Sequence, residues 1–465
     1  MTCSKVHRDS KPSDSAYWAR PTSLSRDSMP TLIGIRPSFM MMLLLLVIRQ
    51  RRGFRSRWGI MLCRRAEINR CLPGALSLQK SVRHIVDFDR PVRPHSDSMK
   101  WNRYAGSGPE VLPAWVADMD FLTPAPVRDA VQQRLQGAPL GYAEAPQALL
   151  EVFRARMQRL YGWQVEQEWV VVIPGVVPGL FGAVRTAGNA GDAVITQTPN
   201  YHHFFGAAEF SAQQLLPLPN HLQGGRWEMD FDQLPQLAGQ GARSFLLCNP
   251  HNPLGRVLTR RELSQVAEFC LQQNLLICSD EIHAELILDE DKQHIPLASL
   301  APEVAAKTIT LVSPSKAFNL PGIGAFALAV IPDASIRGTF AQRIYGLAAH
   351  PGALSYAAAL AAWRDCDDWL GQLLQYLRGN RDVLEQRIGA MTGISMAHVE
   401  ATYLAWLDVS ALELENPFQH FLAHGVALSD GTPMGDRNFL RLNFGTTRAN
   451  LEQILSRMER ALGAG

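Results

Sequence analysis

Thr308-Ile-Thr-Leu-Val-Ser-Pro-Ser-Lys-Ala-Phe-Asn-Leu-Pro-Gly322 opens with five β-branched or apolar residues and then breaks into small hydroxyls and prolines. An apolar run without alternation marks a strand buried on both faces, as in a parallel sheet, and Ser313 to Ser315 end it in a loop. Lys316 then stands at the mouth of a dry interior. An ammonium there loses hydration, so its pKa falls and the neutral amine can form a Schiff base with a carbonyl. Most lysines are solvated surface residues, so the weight of Lys316 rests on what accompanies it.

Similar runs recur upstream at Val170–Ile173, Ala193–Gln197, Ser244–Leu247 and Leu275–Ser279. Helical patterns separate them, such as Gly179–Ala187 and Arg260–Gln273, the latter with Leu263, Val266, Ala267 and Cys270 on one face. Strands alternating with helices imply an α/β fold, a mainly parallel sheet between helices with right-handed crossovers. After about Ser355 the pattern is mainly helical, ending in Leu440–Phe444 and an amphipathic helix Asn450–Leu462. A large domain over 130–355 is expected, with a smaller α+β domain built from 86–129 and 356–465. Internal repeats and low-complexity tracts are absent from the sequence.

With 465 residues, 47% hydrophobic and 19% charged, the chain can bury a large core. Its charge is uneven: residues 1–85 hold 16 Lys and Arg against 4 Asp and Glu, and the remainder holds 29 against 39. A body this acidic argues against nucleic acid as a partner. The seven cysteines (3, 63, 71, 248, 270, 278 and 366) have neither CxxC nor metal-ligand spacing. They read as reduced thiols, so a cytoplasmic location is expected. The Arg- and Ser-rich first 85 residues contain the run Phe39–Ile48, ten apolar residues, too few to span a bilayer. The Arg-rich flank Arg49–Arg57 follows that run instead of preceding it, which fits a signal or transit peptide poorly. A disordered or non-native extension is expected there, and no membrane partner.

Polar clusters follow the strand runs, and in open α/β sheets ligands bind beyond the carboxyl ends of the strands. After Val170–Ile173 comes Pro174-Gly-Val-Val-Pro-Gly179. A glycine at a strand-to-helix turn bares backbone N–H groups where the helix dipole favours an anion, so this is either a phosphate cradle or an ordinary connection. After Ala193–Gln197, Tyr201 offers a face for stacking on a flat ring. His202 and His203 are sequence neighbours that point apart, which suits packing better than metal ligation, and no metal is expected. In Cys248-Asn-Pro-His-Asn-Pro-Leu-Gly255, two Asn-Pro steps set a rigid, extended loop able to present an amide. Asp280, in Asp280-Glu-Ile-His283, either caps a helix or, at the end of a buried strand, needs a cation such as a protonated pyridine nitrogen. Arg441 sits in the apolar run Phe439-Leu-Arg-Leu-Asn-Phe-Gly445 and should pair with an anion, its fork suiting a carboxylate. Anion cradle, stacking aromatic, amide, buried acid, amine and carboxylate clamp are jointly what pyridoxal phosphate and an amino acid require.

These residues resemble the fold type I pyridoxal-phosphate enzymes of the class I/II aminotransferase family. Asn-Pro-His-Asn-Pro-Leu-Gly (249–255), Ser-Asp-Glu-Ile-His (279–283), Ser-Pro-Ser-Lys (313–316) and Arg-Leu-Asn-Phe-Gly (441–445) carry the likeness. Within that family the chain is similar to the MalY/PatB-type carbon–sulfur lyases, or cystathionine β-lyases. That likeness rests on Phe-Asp-Arg-Pro-Val (88–92), Lys-Trp-Asn-Arg-Tyr (100–104), Trp-Val-Ala-Asp-Met-Asp-Phe (115–121), Leu-Gly-Tyr (140–142), Pro-Gly-Val-Val-Pro (174–178), Lys-Ala-Phe-Asn-Leu-Pro-Gly (316–322) and Thr-Tyr-Leu-Ala-Trp-Leu-Asp (402–408). It covers about 86–460.

The resemblance implies that Lys316 holds the cofactor covalently and that Asp280 pairs with its ring nitrogen. It puts Asn252 and His283 beside the ring oxygen, Tyr201 on the ring face, and Val176, Val177 and Ser313 at the phosphate. Tyr142 would reach the phosphate of a partner subunit, making the active unit a homodimer. Arg441 would bind the substrate α-carboxylate, with Trp115 and Asp118 lining the entrance. The chain departs from many aminotransferases at Gly324, where they carry a phosphate-binding arginine, and at His283, where many have tyrosine. The implied reaction is β-elimination of cystathionine or a related cysteine S-conjugate. Transamination is the alternative, and a cofactor-binding regulator without turnover is disfavoured by the intact Lys316, Asp280 and Arg441.

Overall fold

The computed structural model describes residues 85–90, 97–107, 110–323, 326–346 and 348–463. The expected N-terminal extension, apart from Ile85, lies outside these residues, as does Gly324.

One sheet contains β1 (Val170–Ile173), β2 (Ala193–Thr198), β3 (Gln214–Gln223), β4 (Arg226–Met229), β5 (Ala242–Cys248), β6 (Leu276–Asp280), β7 (Thr308–Val312) and β8 (Ala327–Val330). Their spatial order is β1-β8-β7-β6-β5-β2-β3-β4. The five strands from β7 to β3 in this order are parallel neighbours. β8 runs against both β1 and β7, and β4 against β3, so the mainly parallel sheet is mixed towards its edges. The β3–β4 hairpin and β8 were not among the expected strands. Pro217 and Pro219 interrupt the β3 run, and proline argues against a strand when sequence alone is read. Gly224 and Gly225, at φ 57° and 82°, supply the tight turn that joins β3 to β4.

The central strands β6 and β7 are buried along their whole length. Successive residues serve opposite faces: Ile309 and Leu311 join a core with Leu180 and Val184, whereas Ile277 joins Leu263 and Val266. Those partners come from helices α1 (Val176–Ala187) and α2 (Arg260–Gln272), which cover the two faces of the sheet. α2 starts with a capping box in which the Thr259 hydroxyl and the Glu262 carboxylate satisfy each other's backbone N–H groups.

α1 begins at Val176, three residues before the expected start at Gly179. Gly175 makes the early start possible. Its φ of 115° and ψ of 165° suit only glycine, so the chain turns from strand to helix within Pro174-Gly175. Gly179 has a different task. A Cβ there would come within 2.8 Å of the Ile173 side chain and 2.9 Å of Leu311, so its absence seats α1 directly on β1 and β7.

The C-terminal region is helical through α3 (Ala353–Asp365), α4 (Asp367–Gly389) and α5 (Arg448–Leu462), but it also holds a second sheet. That sheet comprises β9 (Ser395–Met396), β10 (Leu404–Asp408), β11 (Ser429–Asp430) and β12 (Phe439–Asn443), antiparallel in the order β9-β10-β12-β11. The N-terminal segment joins this region through a short parallel pair, Leu112–Pro113 with Val426–Ala427. One buried cluster runs from Val312 and Leu328 past Trp363 and Leu377 to Leu404 and Leu442, tying both sheets to the helices between them.

Candidate active site

A cleft of about 760 Å³ opens at the carboxyl ends of β1, β5, β6 and β7. Lys316, Asp280, His283, Asn252, Tyr201, Val176, Val177, Ser313, Arg441 and Trp115 all line it. Five of these seven segments, at 176–177, 201, 252, 280–283 and 313–316, converge because strands of the large sheet deliver their carboxyl ends to one edge.

Lys316 Nζ donates to the Ala117 carbonyl at 2.7 Å. Burial lowers its pKa to about 8. The nearby Arg441 adds to that shift, while Asp118 and Asp280 oppose it. Asp280 ends β6, and its Oδ1 accepts from the Ile282 backbone N–H at 3.1 Å. Burial raises its pKa to about 7 despite that hydrogen bond, with Glu281 pushing the same way and Lys316 against. Among the described residues it has no ion-pair partner within 4 Å. His283 is buried, and burial, then Lys316 and Arg441, brings its pKa down to about 3, so the ring is neutral. Its Nδ1 finds no hydrogen-bond partner among the described residues.

Arg441 projects from β12. Its Nη1 donates to Asn252 Oδ1 at 3.1 Å, and Nη2 to the Trp115 carbonyl at 2.9 Å and the Ser429 hydroxyl at 3.1 Å. Burial lowers its pKa to about 10, which leaves it fully cationic at neutral pH. A buried arginine without a carboxylate partner among the described residues is a receptor for an anion. The N-terminus of α1 supplies another: Val176 and Val177 are its first residues, no side chain caps it, and Gly175 brings its backbone to the cleft. Ser313 donates its hydroxyl to the Phe326 carbonyl at 2.7 Å and also accepts from the Ser315 N–H at 3.2 Å. Ser315 also lines the cleft, its hydroxyl 3.0 Å from that of Ser313, a polar group that sequence reasoning did not single out.

Two expected residues stand apart. Tyr142 is fully exposed and lies outside the cleft lining. The Asp118 carboxylate faces Lys100 at 3.5 Å and does not line the cleft. Burial raises its pKa, and Lys100 opposes that shift. Lys100 is itself buried, paired with Asp120 at 3.0 Å and donating to the Asp118 carbonyl. This lysine, Asn319, Tyr403 and Asn443 form a scaffold for the 115–121 loop. Asn443 Nδ2 donates to the carbonyls of Val116 and Asp118 at 2.6 Å each. Asn319 donates to those of Met119 and Phe121 at 2.8 and 2.9 Å. The Tyr403 hydroxyl shares the Ala117 carbonyl with Lys316, at 3.0 Å. Lys100, Asn319, Tyr403 and Asn443 all lie inside the quoted motifs, but only spatial proximity reveals that they share one loop. His202 lines the cleft as an exposed ring, and partial desolvation lowers its pKa to about 4. Among the described residues, no cluster of His, Cys, Asp or Glu is placed to hold a metal ion. Among those residues also, no helix is long and apolar enough to cross a membrane.

Known proteins resemble the chain over most of its length. PatB of Bacillus subtilis (strain 168), a cystathionine beta-lyase, is 35% identical over 389 residues, covering 81% of this chain and 100% of PatB. The solved structure of OvoB is 42% identical with a TM-score of 0.80, covering 82% of this chain and 100% of OvoB. The PLP-bound C–S lyase from Staphylococcus hominis is 28% identical with a TM-score of 0.76, covering 82% of this chain and 98% of the lyase. The family model for aminotransferase class I and II matches residues 116–458, a span that includes every strand-end cluster of the cleft. The chain belongs to the aminotransferase class I and II family.

Proposed function

We propose that the chain is a pyridoxal-phosphate-dependent carbon–sulfur β-lyase that converts cystathionine or a related cysteine S-conjugate to a thiol, pyruvate and ammonia. The observation that carries this reading is the partly buried Lys316, with its pKa near 8, in one cleft with Asp280 and Arg441. Kinship with PatB and with the Staphylococcus hominis lyase supports elimination over transamination.

The residues fit the cofactor. Asp280 lacks a cation at the end of a buried strand and would hold the ring nitrogen in its protonated form. The Val176 and Val177 N–H groups and the hydroxyls of Ser313 and Ser315 would take the phosphate, with Tyr201 against the ring and Asn252 and His283 beside its oxygen. Pyridoxal phosphate, when bound, supplies an electron sink for charge developing at the substrate Cα. Arg441 binds the substrate carboxylate and fixes which Cα bond faces Lys316. The Lys316 amine, brought near neutrality by burial, takes the Cα proton as general base. The neutral His283 adds no positive charge that would compete with the ring nitrogen for Asp280. The 115–121 loop, tied down by Asn319 and Asn443, excludes water from the Lys316 side.

The active unit in this reading is a cytoplasmic homodimer with a large domain over 130–355 and a small one from 86–129 and 356–465. The full exposure of Tyr142 supports a role for it in the partner's site. The test is cofactor-dependent cleavage. Protein stripped of pyridoxal phosphate should release no pyruvate from cystathionine, and adding the cofactor back should restore release without any keto acid. Activity that needs a keto-acid acceptor would assign transamination instead.

A further inference from the structure

One cation of the cleft has no task in this reading. Arg103 lines the cleft beside Tyr104 and Trp115. Among the described residues its guanidinium has neither a hydrogen bond nor an ion pair, yet it is held in place. Its Cζ lies 6.0 Å from the centre of the Trp115 ring. The indole is anchored in turn, its Nε1–H donating to the Lys100 carbonyl at 3.0 Å, and Tyr104 packs edge-on against it with centroids 5.6 Å apart. A guanidinium over a tryptophan face keeps its N–H fork open to an anion, because the ring attracts the charge without occupying the donors. The Trp115 carbonyl meanwhile accepts from Arg441 at 2.9 Å and from Ser429 at 2.6 Å. A single tryptophan therefore connects two arginines, one buried in the cleft and one exposed on its wall. Asp430 also lines the cleft, but its Oδ1 is engaged in a turn with the Thr432 N–H and hydroxyl at 2.9 and 2.8 Å.

We propose that Arg103 is a specificity-determining residue that binds a carboxylate on the sulfur-bearing leaving half of the substrate, so that thioethers whose departing thiol is an acid are preferred. The inference rests on the lyase reading and names the substrate class of that same cleft. Arg441 takes the carboxylate next to the reacting carbon, and Arg103 takes the second one farther out.

The test compares S-(2-carboxyethyl)cysteine with its neutral isostere S-(2-carbamoylethyl)cysteine on the holoenzyme. Dissociation constants are read from the change in cofactor absorbance, and pyruvate release is followed separately. The acid should bind about fivefold more tightly than the amide, an exposed charge pair being worth no more than that, and the preference should shrink as salt is raised. Arg103→Met keeps a long stem over the indole and should bring the ratio of the two constants to about one. Arg103→Glu should invert the preference towards S-(2-aminoethyl)cysteine. An acid-to-amide ratio unchanged by Arg103→Met, in protein with wild-type circular dichroism, would overturn the proposal. Binding ratios that follow the prediction while no compound yields pyruvate would retain the Arg103 assignment and reject the lyase reading.

Discussion

Asp280 and Lys316 are each held where their charged forms are disfavoured, the acid near pKa 7 and the amine near 8. Desolvation is the leading cause for both; the shift brings Lys316 towards the pH at which it must exchange protons, and leaves Asp280 in need of a cation to hold its charge. The sign for Lys316 is direct. A lysine attacks a carbonyl only as the neutral amine, so covalent uptake of pyridoxal phosphate by cofactor-free protein should accelerate as pH rises through about 8. Following absorbance after mixing checks this; a midpoint close to the ordinary lysine value of 10.5 would contradict the burial of that amine. Lys316→Ala removes the proposed general base and should lower kcat by about 10²–10⁴-fold. Arg441→Met leaves the Asn252 amide oxygen without this donor and the Trp115 carbonyl with Ser429 alone. It should raise KM about tenfold or more, since a hydrogen bond to a charged group contributes about 1.5–3 kcal/mol.

The strand-to-helix turn at Pro174-Gly175 acts at the scale of an element. Gly175 adopts a backbone conformation essentially reserved for glycine, so Gly175→Ala should cost about 1–3 kcal/mol of stability. It should also weaken cofactor binding by moving the first N–H groups of α1, which thermal melts and cofactor titration measure together. Much of this level was legible in the sequence. β1 and β7 have the bounds that their apolar runs dictate, and β2, β5 and β6 differ by no more than two residues at an end. Pattern gave out where other physics decides. Leu215 to Pro219 reads poorly as a strand because of its prolines, yet β3 is fixed by pairing with β2 on one side and β4 on the other. Pattern alone starts α1 at Gly179 and leaves Val176 and Val177 in a loop, whereas Gly175 alone completes the turn. The antiparallel β9–β12 sheet consists partly of two-residue strands, too short to leave any periodicity.

Across the whole molecule, the cleft gathers residues from position 99 to position 441, and that convergence is what sequence cannot display. Lys316, Asp280 and Arg441 were recognisable because each is chemically costly in its local run. Lys100 was not, because its cost is offset by Asp118 and Asp120, visible only in space. The proposed homodimer has its own test. In a twofold assembly each site would take Lys316 from one subunit and Tyr142 from the other. Mixing Lys316→Ala with Tyr142→Ala protein should then recover about a quarter of wild-type activity, because half the sites in mixed dimers are intact. Recovery that never exceeds the sum of the two parents would show that Tyr142 serves its own subunit or none. The lyase reading itself meets its most direct test in the products from cystathionine with no keto acid present. Pyruvate, ammonia and free thiol should appear in equal amounts over many turnovers. A single burst limited to one equivalent of keto acid per site, with the thioether left intact, would contradict it.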